Sequence, residues 1–401
     1  MPVEPSFVLQ ITPSGGTCQV EARCPFLSGS ASATIKTPSA AEWQKRLQLL
    51  QDALLWRPDT IKARTSLPDL TVNSNRLRAA QRRRASDVSA SEQIIKETGQ
   101  DLFEAFFSKS IWTAYTESFE KARNQMSTLH LRLSFTGPGL SYLPWETLHD
   151  GVRHLALSTQ SPIVRNAHLD SNIDLPVASP PITVLGMVPK IKNTSEFDEI
   201  DTVSERNNIR SALASLIDQH KLILQWSGGT PMDLIHSLRN PPHEQPTWHI
   251  FHYSGHGGFD QSAQRGFIVV DADPGPVGVS TLKSGSLTLY SDVLSGILDT
   301  TRGLRLVILN SCGGASGSSS ASSAAQELVN QGFPAVIAMQ FPITDQAAIY
   351  FSAILYKYLA DNTPLHHAVT HARQQMKANS MAEWITPVLY MQSANGQLFR
   401  T

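Results

Sequence analysis

The chain has 401 residues, 41% of them hydrophobic, and a formal net charge of −1, enough for one large domain or two ordinary ones with a real core. That charge balance gives no general reason to expect nucleic acid or an acidic membrane surface as the main partner. No run of about 18 apolar residues predicts a transmembrane helix, the opening "MPVEPSFVLQITPSGG" lacks the basic-then-apolar pattern of a signal peptide, and three cysteines (Cys18, Cys24, Cys312) are too few for a disulfide framework and fit a reducing cytoplasm.

In chain order, residues 7–37 read as β structure, with "FVLQI" and "CQVEA" on either side of the turn signal "TPSGG". Residues 40–56 read as a helix, with Trp43, Leu47, Leu50 and Leu54 at helical spacing and Pro58 beyond its end. The stretch 73–91 carries five arginines and reads as a solvated helix face or connector; a protease-sensitive linker or a nucleic-acid patch is the other reading. Helical patterns follow over 99–125, and "HLRLSF" reads as a buried strand.

From residue 181 strands and helices alternate. "PITVLGMV", "KLILQW", "TWHIFHYS", "LRLVILNS", "PAVIAMQ" and "TPVLYMQ" read as strands. "SERNNIRSALASLI", "PMDLIHSLR", "YSDVLSGIL", "SSAAQELVNQG" and segments 345–360 and 364–378 read as helices. Short, almost continuously apolar strands belong to a sheet buried on both faces, and their alternation with helices predicts a doubly wound α/β layer with helices on either side. Ligands in such folds bind beyond the carboxyl ends of the strands. The Gly/Ser-rich "GGASGSSSASS", residues 313–323, reads as a flexible loop.

That edge is where the chemistry concentrates. His256 and Cys312 each end a predicted strand, 56 positions apart, and each is followed by glycine. An imidazolium beside a thiol lowers its pKa and makes a nucleophile at neutral pH. Gly257 lets the backbone turn sharply, so its N–H, with that of Cys312, could bind the oxyanion of a tetrahedral intermediate. No acidic residue is an evident third member, so a dyad is expected. Three bland readings stand beside this one. His249 and His252 could ligate a metal, but at i, i+3 on a strand they face opposite sides, and no metal or other cofactor is expected. "SGHGG" lacks the spacing and context of a dinucleotide turn. Cys312 could be a buried structural thiol, and Cys18 and Cys24 read as inert packing. Asp345, after a Thr344 N-cap, suits the positive end of a helix, though its place at the functional edge would also let it touch substrate.

The blocks "HYSGHGG" and "LNSCGGA" resemble the His and Cys motifs of caspase-like (clan CD) peptidases, whose histidine precedes the cysteine by roughly 50 residues in caspases. "GQDLFEAFF", "LSYLPWETLHDG", the block at 339–376 and "WITPVLYMQ" narrow the resemblance to CHAT-domain peptidases, over roughly residues 95–400. Trp145 and Glu146 within "LPWE" read as structural. The resemblance implies a caspase-like doubly wound sheet with flanking helices, preceded by a smaller α+β half that is itself a degenerate caspase-like unit. It divides the chain into 1–92, the 93–175 start of the CHAT domain, and a catalytic 176–401. It implies a cytoplasmic cysteine endopeptidase acting on a protein substrate, with a regulatory protein on a separate chain and no nucleic acid or membrane partner. The alternatives are a catalytically silent interaction module and a cysteine hydrolase of small amides. The resemblance also puts the residue two before the nucleophile, Asn310, in the first specificity pocket. A neutral amide there predicts a neutral or apolar residue before the cut, unless Asp345 or Asp260 reaches in from a neighbouring loop.

Overall fold

The computed structural model describes residues 4–37, 39–55, 74–136, 140–166, 177–191, 200–260, 262–273, 285–313, 320–393 and 396–400, with the backbone alone at 55, 74–89, 312–313 and 320–323. The arginine side chains of 73–91 and most of the Gly/Ser stretch, 314–319, therefore lie outside the described residues. A meander of β1 (Ser6–Ser14), β2 (Thr17–Arg23) and β3 (Ala31–Lys36) opens the chain. Gly15 and Gly16, both at positive φ, make its first turn. Helices α1 (Ala40–Leu55), α2 (Ser74–Phe106) and α3 (Lys109–Asn124) follow, then strands β4 (His130–Phe135) and β5 (Ile163–Asn166).

The alternating part begins with β6 (Ile182–Met187), α4 (Thr202–Ala212), α5 (Ala214–Asp218), β7 (Leu222–Trp226) and α6 (Pro231–Arg239). Pro231 sits in the first turn of α6, behind a capping box made by Thr230 and Asp233. Next come β8 (Ile250–Asp260), β9 (Arg265–Asp271), β10 (Ser286–Tyr290), α7 (Ser291–Leu298) and β11 (Leu306–Gly313). The chain closes with α8 (Ser320–Asn330), β12 (Ala335–Met339), α9 (Asp345–Ala360), α10 (Leu365–Ala378) and β13 (Pro387–Met391).

The thirteen strands of the described residues join one sheet. Its centre, β7-β6-β8-β11-β12, is parallel, and β13 runs antiparallel beside β12. From β13 the sheet continues through β5, β4 and β1 to the meander, so the first three strands and the last share one backbone ladder. Alternate residues divide between two apolar layers. Ile250, Leu306, Ile308 and Ile337 meet Phe351, Leu355 and Val369 of α9 and α10. Phe251, Tyr253, Val307 and Leu309 meet Leu234, Leu294, Leu298 and Leu328 of α6, α7 and α8. Two-sided burial is why these strands read as unbroken apolar runs.

Among the described residues no helix is long and apolar enough to cross a membrane. Three strands escaped the sequence reading. β5 is only four residues long, and "RGFIVVD" and "SLTLY" form an antiparallel pair, β9 and β10, added beyond the second half of β8. β8 itself does not stop at His256. It runs to Asp260, pairing with β6 through its first half and with β9 through its second.

Candidate functional site

The register of β8 on β11 builds the site. These parallel neighbours pair Ser254 with Asn310, His256 with Cys312 and Gly257 with Gly313. The two residues singled out in the sequence thus occupy matched positions on adjacent strands. The glycines serve close approach rather than a turn, which corrects the expectation for Gly257. It stays in the strand, paired with Gly313 on one side and Ile268 on the other. A Cβ there would come within 2.9 Å of the Phe267 carbonyl oxygen and of Ser311 Cβ, and one at Gly258 within 2.3 Å of the Phe267 ring. At Gly255 it would lie 2.4 Å from the Tyr253 hydroxyl. That hydroxyl fills the hollow left by Gly255 and lies 2.7 Å from the carbonyls of both His256 and Val269, sharing its single proton between them, which pins the His256 backbone from beneath.

Beyond the carboxyl ends of β6, β8 and β11 opens a cleft of ≈ 890 Å³. His256, itself 8% exposed, and Asn310 line it, as do Ser254, Glu205, Asp201, Asp345 and Lys190, so among the described residues three carboxylates line it with one ammonium. Glu205 of α4 accepts a hydrogen bond from the Ser254 hydroxyl at 2.8 Å. Burial raises its pKa, the Ser254 bond opposes that rise, and the nearby Asp345 charge adds to it. Asp345 begins α9 after Thr344, whose hydroxyl caps the Ala347 N–H, so the residue has both the position and the exposure that its two readings required. Asp260 does not reach in; its carboxylate caps the N–H groups of Ser262 and Ala263 and accepts from the Tyr290 hydroxyl.

The other two histidines of the motif belong to the interior. His249 accepts from the Thr183 N–H at 3.2 Å. His252 stands between the Tyr356 hydroxyl and Asn310, each at 2.9 Å. With the Asn310 amide donating to its Nε2, the proton of a neutral ring sits on Nδ1. Burial holds the His252 pKa at about 4, in keeping with that neutral ring. Asn310 is thereby fixed from behind, by His252 and by Ser352 at 3.2 Å, while its buried Oδ1 has no hydrogen-bond partner among the described residues. Sequence reasoning missed Glu205, Asp201 and Ser254. Ser254 sits two residues before His256, but nothing in "SERNNIR" marks Glu205 for this cleft.

The "LPWE" block lies away from the cleft, in the seam between the two ends of the sheet. Glu146, 1% exposed, pairs with Arg165 of β5 and accepts from Gln340, and Arg373 of α10 approaches to 3.8 Å. Trp145 donates its indole N–H to the Leu140 carbonyl at 2.8 Å. Both side chains are buried and their polar groups are taken up within the fold.

The CHAT domain family profile matches residues 96–390. No curated protein matches the chain. Two crystal structures of the Saccharomyces cerevisiae separase–securin complex, at 2.6 and 3.0 Å resolution, resemble it at 12% identity with TM-scores of 0.50 and 0.51. Each match covers 96% of this chain, which spans 30% of the separase chain. The fold is caspase-like.

Proposed function

The chain belongs to the CHAT domain family, a caspase-like protease family, and on that premise we propose that it is a cysteine endopeptidase acting through Cys312 and His256. The observation that carries the reading is their register pairing on adjacent parallel strands, with His256 lining the cleft. In the proposed reaction the Cys312 thiolate attacks the scissile carbonyl, and His256 delivers the proton to the departing amine. Water then attacks the thioester, giving its proton back through His256 and releasing the acid and the thiol. The N–H groups of Cys312 and Gly257 stabilise the oxyanion. Gly257 lies inside the strand between Gly313 and Ile268, so its N–H serves only where it is free of both ladders. That requirement supports a latent resting enzyme, switched by a protein on a separate chain; the separase neighbours were themselves solved with a protein partner, securin. Residues 1–175 would be the degenerate second half.

The cleft supports a cationic side chain before the cut, in place of the neutral one expected from Asn310 alone. Glu205, Asp201 and Asp345 supply negative charge, and the unpartnered Asn310 Oδ1 supplies a buried acceptor. Fluorogenic peptides varied at that position test this. Arg and Lys should exceed neutral residues by at least about 10-fold in kcat/KM, which corresponds to about 1.4 kcal/mol, and Asp345→Asn should shrink the ratio. Turnover confined to apolar residues would refute the cationic preference, and cleavage of small amides but no peptide would favour the small-amide hydrolase.

A further inference from the structure

The geometry points to a divalent-cation site formed by Glu4, His130 and His366, with His367 at its edge. It would staple the start of β1 to β4 and α10, at a distance in sequence from both cleft motifs. One carboxylate is surrounded by three imidazoles. Glu4 Oε2 lies 2.6 Å from His130 Nε2 and 3.3 Å from His366 Nε2, and Glu4 Oε1 lies 4.0 Å from His367 Nε2. The ligand atoms of Glu4, His130 and His366 all fall within 4.8 Å of one another. A tetrahedral zinc ion with bonds of about 2.0–2.1 Å sets its ligand atoms about 3.3 Å apart, so the Glu4–His366 spacing fits already and the Glu4–His130 pair needs to open slightly.

A carboxylate anchor without metal does not explain the rest. His130 and His366 are 0% and 1% exposed. Among the described residues neither ring nitrogen of His366 makes a well-formed hydrogen bond; its Nε2 only faces the Glu4 carboxylate, 3.3 Å away. Burying such a group without a partner is costly, and a cation at the shared centre would satisfy it. Glu4, part-exposed at 27%, gives the ion a way in. Two neutral imidazoles with a carboxylate are a donor set suited to zinc and its first-row neighbours. Nothing in the sequence suggested this site, because Glu4 and His130 are 126 positions apart and come together only through the parallel pairing of β1 with β4. Among the described residues, Nδ1 of His130 and of His366 lacks a hydrogen-bonding partner. Such outer partners are worth roughly 10–100-fold in affinity, so the site should bind more weakly than one with a complete outer shell.

Tag-free full-length protein, stripped with a chelator, is titrated with zinc sulfate and passed through a desalting column, and its metal content is measured. Wild type and Cys312→Ala should each retain about one zinc per chain, and zinc should raise the thermal midpoint of both. Glu4→Gln and His366→Gln should bind at least about 10-fold more weakly and lose the thermal shift. Glu4→Gln, whose side chain is only part-buried, carries the test if His366→Gln fails to fold. Zinc absent from the wild type, retained at full strength by Glu4→Gln, or lost only with Cys312→Ala would each overturn the proposal.

Discussion

Glu146→Gln offers a demanding test of how the two ends of the sheet are held together. The carboxylate is 1% exposed, Arg165 and Arg373 are 0% exposed, and the group contacts β5, α10 and the segment after β12 at once. The substitution keeps the volume and one acceptor but removes the only carboxylate paired with either guanidinium in the described contacts. Breaking a buried ion pair by neutralising one partner costs about 3–5 kcal/mol; the Gln340 contact and the retained amide oxygen put this case near the lower end. For a chain of this length, with a urea m-value of about 3 kcal/mol/M or more, the midpoint should fall by about 1 M. Urea titration followed by tryptophan fluorescence and by circular dichroism measures it. A midpoint within about 0.2 M of wild type, with unchanged slope, would refute the reasoning.

Tyr253→Phe removes the hydroxyl that holds the His256 and Val269 carbonyls, so peptidase kcat should drop about 10-fold, with a stability loss of about 1–3 kcal/mol seen by thermal melting. His154, His249 and His252 have folded pKa values held down to about 4 by burial, below the unfolded value, so the unfolded chain takes up more protons; stability should fall as pH drops from about 6.5 towards 4, and His252→Gln should flatten that slope in pH-dependent denaturation. Glu205 titrates above the ordinary carboxylate range, so the preference for Arg or Lys before the cut should strengthen as pH rises through its pKa, a trend that Glu205→Gln should remove from a pH series of peptide kinetics. The purified chain should be weakly active alone; full turnover with no addition would contradict latency.

The alternating half was legible because its strands are buried on both faces. Runs such as "LRLVILNS" need apolar residues on both sides of the pleat, and Pro231, Gly332 and Thr344 mark helix ends by local chemistry alone. His256 and Cys312 were legible because each lies at the end of such a run. What sequence could not supply was lateral. Glu205 comes from a helix with an ordinary polar face and reaches the cleft only because α4 packs beside α9. Asn310 is oriented by His252 and Ser352, partners 58 and 42 positions away from it in opposite directions along the chain. Gly257 reads as a sharp turn because glycine so often turns the chain, but with Gly255 and Gly258 it lies inside β8. Here they are demanded by the Tyr253 hydroxyl, Phe267 and Ser311, side chains whose approach depends on β9 and β11.

The central claim, that Cys312 and His256 cut a protein, is tested most directly by profiling new N-termini. Wild type, Cys312→Ala and His256→Ala are each incubated with a proteome and candidate partner proteins. The account predicts a small set of new termini with wild type, absent with both variants, while both keep the wild-type circular dichroism and thermal midpoint. The same termini from Cys312→Ala would contradict the dyad, and no termini from wild type under any addition would leave a silent interaction module as the better description.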